Sequence, residues 1–255
     1  MPLFAVPALN DNYIWICSDA QGRAIAVDPG EAAPLETFLV RENLELTTVL
    51  LTHHHPDHIA GVAALSARRK LRVIAPADKR IHTATEIVHD GDRIDIDAPA
   101  MHFSVLSVPG HTSSHVAYVG EGWLFCGDTL FSLGCGRLFE GTPAQMLASL
   151  DRLAQCPDAT QICCGHEYTL DNAAFALSVD PDNTALQHRR TQAQAQRAVG
   201  QPSLPSSMAD ERAANPFLRI DTPALQAWAT ARLGHAATRV DRFAALRSAK
   251  NEFRA

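Results

Sequence analysis

Short apolar runs alternate with helical patterns over the first two thirds of the chain. Residues 13–17 and 23–27 read as strands, joined through Asp19-Ala20-Gln21-Gly22, a turn composition. Asp28-Pro29-Gly30 ends the second run, and residues 34–41 read as a helix. Residues 47–51 (TTVLL) form a short buried strand that leads straight into THHHPDH. Residues 59–70 have helical character, with Asp57 near the N-terminus, and residues 71–75 return to a strand. From 103 to 131 the text is β-rich: FSVLSVPG, HVAYVG and WLFCGDTLF, separated by glycine-containing turns. Thr142-Pro143 then opens a helix whose Met146, Leu147, Leu150 and Leu153 follow helical spacing. A last strand, 161–164, runs into Gly165-His166-Glu167.

Beyond about residue 170 the pattern changes. Residues 171–199, rich in Ala, Gln and Arg, read as helix; 201–207 (QPSLPSS) reads as a loop; 223–233 and 240–253 read as two more helices. No internal repeat is visible. The simplest organisation is a mixed α/β domain over 1–170 and a smaller helical domain over 171–255.

Composition narrows the function classes. The 255 residues are 46% apolar and 20% charged, ordinary for a water-soluble globular chain, with a net charge of −6. That balance argues against nucleic acid as a partner. No apolar run approaches the roughly 18 residues of a membrane span. The N-terminal stretch lacks a basic region and is interrupted by Asn10-Asp11-Asn12, so neither membrane nor export is expected. Six cysteines without a CxxC pair read as reduced, mostly buried thiols of a cytoplasmic protein.

The candidate chemistry lies in THHHPDH, which places four of the twelve histidines within six residues. His53 and His55 are two apart, so at the end of an extended segment they point the same way and His54 the other. Pro56 stops the strand, and Asp57 and His58 follow. The pattern can feed two adjacent metals. Three further candidates sit at predicted strand ends next to glycine: His111 in PGHT, Asp128 in FCGDT and His166 in CCGHE. With Asp128 bridging, His53, His55, His111 and Asp128 serve one ion, and Asp57, His58, Asp128 and His166 the other. Imidazole and carboxylate suit zinc first, and also iron or manganese at one or both sites.

THHHPDH, PGHT, GDT and GHE, in this order, resemble the metallo-β-lactamase superfamily. LFCGDTLFSLGCGRLFEGT, CCGHEYTLDNAAFA, NPFLR and LRSAKNEF resemble one branch, the glyoxalase II or hydroxyacylglutathione hydrolase family, over almost the whole chain. The resemblance implies an αββα sandwich with the metals at the sheet edges and a helical C-terminal part. It also implies hydrolysis of the thioester S-lactoylglutathione and related 2-hydroxyacyl thioesters by a metal-bridging hydroxide, a step of methylglyoxal detoxification; a monomer is expected. Asp57 would orient that hydroxide as well as bind metal. Two divalent ions about 3.5–4 Å apart can supply such a nucleophile at neutral pH.

By the same resemblance Arg247 and Lys250 hold the glycine carboxylate of glutathione, Tyr168 adds a hydroxyl donor and Arg137 lies near the peptide. Spacing alone reads Arg247 and Lys250 as a solvated helix end, where cations suit the dipole. Ala60 and Ser114 stand where the family often has glycine; Phe139 stands where some members have a tyrosine, which puts one hydroxyl contact to substrate in doubt. His54 reads as a packed histidine, His115 as one that orients a ligand or serves structure, and Cys135 as a thiol without an evident base. Asn215-Pro216-Phe217 reads as a turn. Two other readings remain: another enzyme of the superfamily, such as a mono-iron persulfide dioxygenase, and a non-catalytic metal-binding protein. The helical tail argues against the first, and the number of ligands against the second.

Overall fold

The computed structural model describes residues 1–254. One six-stranded sheet runs in chain order: β1 (Leu3–Ala8), β2 (Asn12–Ser18), β3 (Arg23–Val27), β4 (Glu45–Leu50), β5 (Arg72–Pro76) and β6 (Glu86–Val88). β1, β2 and β3 pair antiparallel, and β3 to β6 pair parallel. Helices α1 (Ala32–Glu42), α2 (Pro56–Ile59) and α3 (Val62–Ser66) fill the crossovers. Ile14, Ile16, Ala24, Ala26 and Val49 of this sheet cluster with Leu35 and Leu39 of α1 and Val62 and Leu65 of α3, so the two helices cover one face.

β7 (Arg93–Asp97), β8 (Ala100–Ser107), β9 (Val116–Gly120) and β10 (Trp123–Gly127) form an antiparallel meander. The two sheets meet through Tyr118 on β9. Its buried hydroxyl donates to the carbonyl of Leu51 at 2.7 Å, and burial raises its pKa well above the ordinary phenol value. β11 (Leu130–Phe131) and β12 (Gly134–Cys135) make a small hairpin, followed by α4 (Pro143–Leu153). β13 (Gln161–Cys164) and β14 (Ser206–Ser207) complete the second sheet, in the order β14-β13-β10-β9-β8-β7. The remaining helices are α5 (Thr169–Val179), α6 (Thr184–Ala198), α7 (Met208–Ala214), α8 (Pro223–Leu233) and α9 (Arg239–Glu252).

The chain divides into two compact units. The first comprises Met1–Ser107, Ser114–Gly127 and Cys163–His166; the second comprises Val108–Ser113, Asp128–Ile162 and Glu167–Ala255. In the second, Leu133 is buried in a cluster with Ala173 and Ala176 of α5, Leu186 of α6 and Ala214 of α7.

Two expected helices are interrupted. The 59–70 pattern is split at Ala60-Gly61, because Gly61 passes tightly under the α1 entry. Its N–H donates to the Pro29 carbonyl at 3.0 Å, and a Cβ there would lie 2.5 Å from that oxygen. The 171–199 pattern breaks at Asp180-Pro181-Asp182-Asn183, where Pro181 cannot continue a helix and Asn183 caps α6 by accepting from Leu186 N–H at 3.1 Å. β1, β6, β7 and α7 carry no pattern that the sequence reading picked out.

Candidate metal centre

In the first unit the histidine cluster is built on Asp28. This residue has a left-handed backbone (φ 51°) just past β3, which turns its carboxylate back under β4. It accepts from Thr52 N–H at 2.8 Å and Thr52 hydroxyl at 2.6 Å, and it faces His58 Nδ1 at 3.0 Å. Thr52 Oγ1 in turn lies 3.0 Å from His53 Nδ1. That leaves His53 Nε2 pointing away, 3.0 Å from His55 Nδ1. His115 stacks on His53, ring centroids 4.6 Å apart and planes 16° off parallel. His54 points elsewhere, its Nδ1 3.5 Å from Asp78 Oδ2.

Pro56 opens α2 and sets Asp57 in the first turn. Asp57 Oδ2 accepts from Asn12 Nδ2 at 3.0 Å and lies 3.4 Å from both His58 Nε2 and His166 Nε2. Burial opposes ionisation of Asp57, but its hydrogen bonds with His166, His58 and Asn12 prevail and hold the carboxyl well below the usual carboxylate range. Asp57, His58 and His166 each offer a ligand atom, and these atoms all lie within 4.8 Å of one another.

In the second unit His111 Nε2 lies 3.4 Å from Asp128 Oδ2. His111 Nδ1 faces the Arg137 carbonyl at 2.9 Å; a carbonyl only accepts, so the proton sits on Nδ1 and Nε2 is the candidate ligating nitrogen. Gly136 lets this loop close over both residues: a Cβ there would stand 1.9 Å from the Asp128 carbonyl oxygen and 3.2 Å from His111 Nδ1.

Buried side chains from four helices hold the loop that leads into Gly136. Asn172 donates to the Ser132 carbonyl at 3.0 Å, and Glu211 accepts from Leu133 N–H at 2.8 Å. Asn215 Nδ2 donates to the carbonyls of Phe131 and Gly134, both at 3.0 Å, and Arg189 Nη2 lies 3.3 Å from Ser132 Oγ. Arg247 Nη1 donates to the Cys135 carbonyl at 2.6 Å, with its guanidinium 5.3 Å over the Phe217 ring. Leu133, at φ 60°, is the strained residue this network fixes. Sequence reasoning missed the network. Asn215 was visible only as a turn residue, and Arg189 and Glu211 look like ordinary helix-surface charges.

The other substrate candidates also lie in the second unit. Arg137 is exposed, and so is Phe139, whose ring sits 5.2 Å from that of His111. Tyr168 packs its ring against Phe131, centroids 5.2 Å apart. Lys250 is half-buried and donates to the Asp171 carbonyl at 3.1 Å. Its burial first, and then repulsion from Arg247, lower its pKa below the ordinary lysine value. Cys135 is buried, which raises its pKa; Arg247 and Lys250 offset this only in part, so it is no ready thiolate.

Donors of this kind suit a divalent cation: in the first unit the imidazoles of His58 and His166 and the carboxylate of Asp57 converge, with Asn12 donating to that carboxylate.

The metallo-beta-lactamase superfamily model matches residues 7–166, and the model for the hydroxyacylglutathione hydrolase C-terminus matches residues 167–253. A hydroxyacylglutathione hydrolase of Xanthomonas campestris pv. campestris (strain B100) is 54% identical over 257 residues, covering 100% of both chains. The chain belongs to the hydroxyacylglutathione hydrolase family. A relative of the same name from Cupriavidus taiwanensis is 50% identical over 98% of each chain. Among solved structures, BLEG-1 B3 metallo-beta-lactamase has a TM-score of 0.66 at 24% identity, covering 85% of this chain and 99% of its own. ETHE1 from Myxococcus xanthus has a TM-score of 0.65 at 25% identity, covering 88% of this chain and 92% of its own. The expected α/β sandwich with a helical C-terminal part is thereby met, and the chain is a metal-dependent hydrolase. No helix among the described residues is long and apolar enough to cross a membrane.

Proposed function

We propose that the chain hydrolyses S-lactoylglutathione and related S-2-hydroxyacylglutathiones to the hydroxy acid and glutathione. The observation that carries this is the full-length identity to hydroxyacylglutathione hydrolases, which extends through the helical C-terminal part. Two divalent ions, zinc first, would be held by His53, His55, His111 and Asp128 and by Asp57, His58, Asp128 and His166. When bound, such ions bring the pKa of a coordinated water near neutrality and polarise a carbonyl. The chain's own residues prepare that chemistry. Asp28 and Thr52 fix the rings of His58 and His53, and the Arg137 carbonyl fixes His111. Asp57 is ionised throughout the neutral range.

Residues 171–255 serve as the substrate-binding domain and 1–170 as the catalytic one. Arg247 and Lys250 take the glycine carboxylate. Burial first, and then repulsion from Arg247, lower the Lys250 pKa, and an anion bound by the pair would offset both. Tyr168, Arg137 and Phe139 complete the substrate-binding set, Tyr168 as a hydroxyl donor and Arg137 near the peptide. The protein acts as a cytoplasmic monomer, without nucleic acid or membrane. Purified protein should cleave S-lactoylglutathione and carry close to two metal equivalents. Absence of thioester cleavage by metal-loaded protein overturns the reading, and oxygen uptake on a glutathione persulfide would move it to a dioxygenase.

A further inference from the structure

The turn between β1 and β2 reaches the ligand cluster with two side chains. Asp11 Oδ1 lies 2.7 Å from His166 Nδ1. Asn12 Nδ2 donates to Asp57 Oδ2 at 3.0 Å and to the Asp57 carbonyl at 3.3 Å. The backbone locks this contact: Tyr13 N–H donates to the Gly165 carbonyl at 2.8 Å, and Asn12 and His166 form an antiparallel bridge. All of these residues belong to the first unit. A carboxylate facing a neutral imidazole draws the proton to the near nitrogen. His166 therefore donates from Nδ1 to Asp11 and turns the Nε2 lone pair toward Asp57.

Among the candidate ligands, His53, His58, His111 and His166 each face an oxygen on the Nδ1 side, and these oxygens are of two kinds. His58 and His166 face carboxylates, Asp28 at 3.0 Å and Asp11 at 2.7 Å. His53 faces the Thr52 hydroxyl at 3.0 Å and His111 the Arg137 carbonyl at 2.9 Å, both neutral. A carboxylate acceptor makes an imidazole a stronger metal donor than a neutral acceptor does. On the proposed division of ligands, both carboxylate-backed rings go to the same ion.

We infer that Asp11 is a positioning residue for His166, and that with Asp28 it makes the position formed by Asp57, His58 and His166 the tighter of the two. The inference rests on the two-metal reading. Asp11 is the cleaner probe of the pair, because Asp28 also anchors Thr52 and through it His53. Its side chain is 41% exposed, so substitution opens no core.

The test uses full-length zinc-loaded protein: native, Asp11→Ala and Asp11→Asn. Metal equivalents are counted by atomic emission, and release to a chromophoric chelator is then followed in time. Imidazole N–H protons are followed by NMR on the same samples. Native protein should hold two equivalents that leave in a fast and a slow phase. Asp11→Ala should accelerate the slow phase by about ten- to a hundredfold, leave the fast phase unchanged and lose one imidazole N–H signal. Asp11→Asn keeps an acceptor oxygen without the charge, so it should retain the signal and release metal at an intermediate rate. A slow phase indistinguishable from native in both variants, or equal acceleration of both phases, overturns the role of Asp11. Native protein holding fewer than two equivalents overturns the two-metal reading itself, and the inference with it.

Discussion

Gly30 and Gly136 each stand where no side chain fits, and each holds a candidate metal ligand in place. A Cβ on Gly30 would lie 1.8 Å from the Asp57 carbonyl oxygen, and one on Gly136 1.9 Å from that of Asp128. Both obstacles are backbone, so neither can swing aside. Gly136→Ala should therefore displace the loop over His111 and Asp128, lowering bound metal and cutting thioester hydrolysis at least tenfold. Metal analysis and a steady-state assay on the same preparation check this; native metal content in the variant would remove the argument. His54→Ala should keep both metals, because His54 faces Asp78. Asp128→Ala should lose metal from both positions if its carboxylate is shared, and two retained equivalents would show that it is not. At this scale the sequence was informative about the candidate ligands, since histidine and aspartate beside glycine mark themselves. It was silent about what holds them. Asp11 and Asn12 read only as polar residues that interrupt an apolar stretch, and Asp28 only as the end of a strand, because a hydrogen bond to a residue 155 positions away leaves no local pattern.

Elements were legible where a period had room to repeat. The helix expected from Thr142-Pro143 is observed as Pro143–Leu153, with Thr142 closing a capping box with Gln145. α7 spans seven residues, two turns at most, and β6 three; neither length sustains a period. The run at 171–199 kept its helical composition straight through Pro181, and there the proline outweighs composition. α7 matters despite its length, because its end places Asn215 against the 131–135 loop. Asn215→Ala strips two donors from the buried carbonyls of Phe131 and Gly134. Each such loss costs about 1–3 kcal/mol. A lowered melting temperature should accompany lowered metal content, although Asn215 is no ligand. A drop in stability with metal content and turnover intact would confine Asn215 to a structural part.

For the whole molecule the question is whether the C-terminal helices only bind substrate. If they do, a fragment ending at residue 166, where the superfamily match ends, should keep its metals and lose only its preference for glutathione thioesters. The loop network in the second unit argues for a different outcome. Removing residues 167–255 deletes Asn172, Glu211, Asn215 and Arg247 together. It thereby strips partners from the carbonyls of Phe131, Ser132, Gly134 and Cys135 and from the N–H of Leu133. It also uncovers Leu133, which is buried among helices of that segment. At about 1–3 kcal/mol for each group left buried and unpaired, the cost rivals the roughly 5–15 kcal/mol that holds a typical domain together. The loop relieves that cost by opening to water, and the Arg137 carbonyl that fixes His111 moves with it. The fragment should therefore bind less metal than the full chain, with the loss greatest at the position proposed for His111. The double variant Arg247→Ala/Lys250→Ala separates the two roles in the intact chain. A pure carboxylate clamp predicts a KM raised by about ten- to a hundredfold with kcat and metal content unchanged, from roughly 1.5–3 kcal/mol for each charged hydrogen bond. Arg247 as the Cys135 anchor predicts lower metal content and lower kcat as well, and Lys250→Ala alone should then show only the KM effect. A fragment of residues 1–166 that holds two equivalents of metal would return the helices to substrate binding alone.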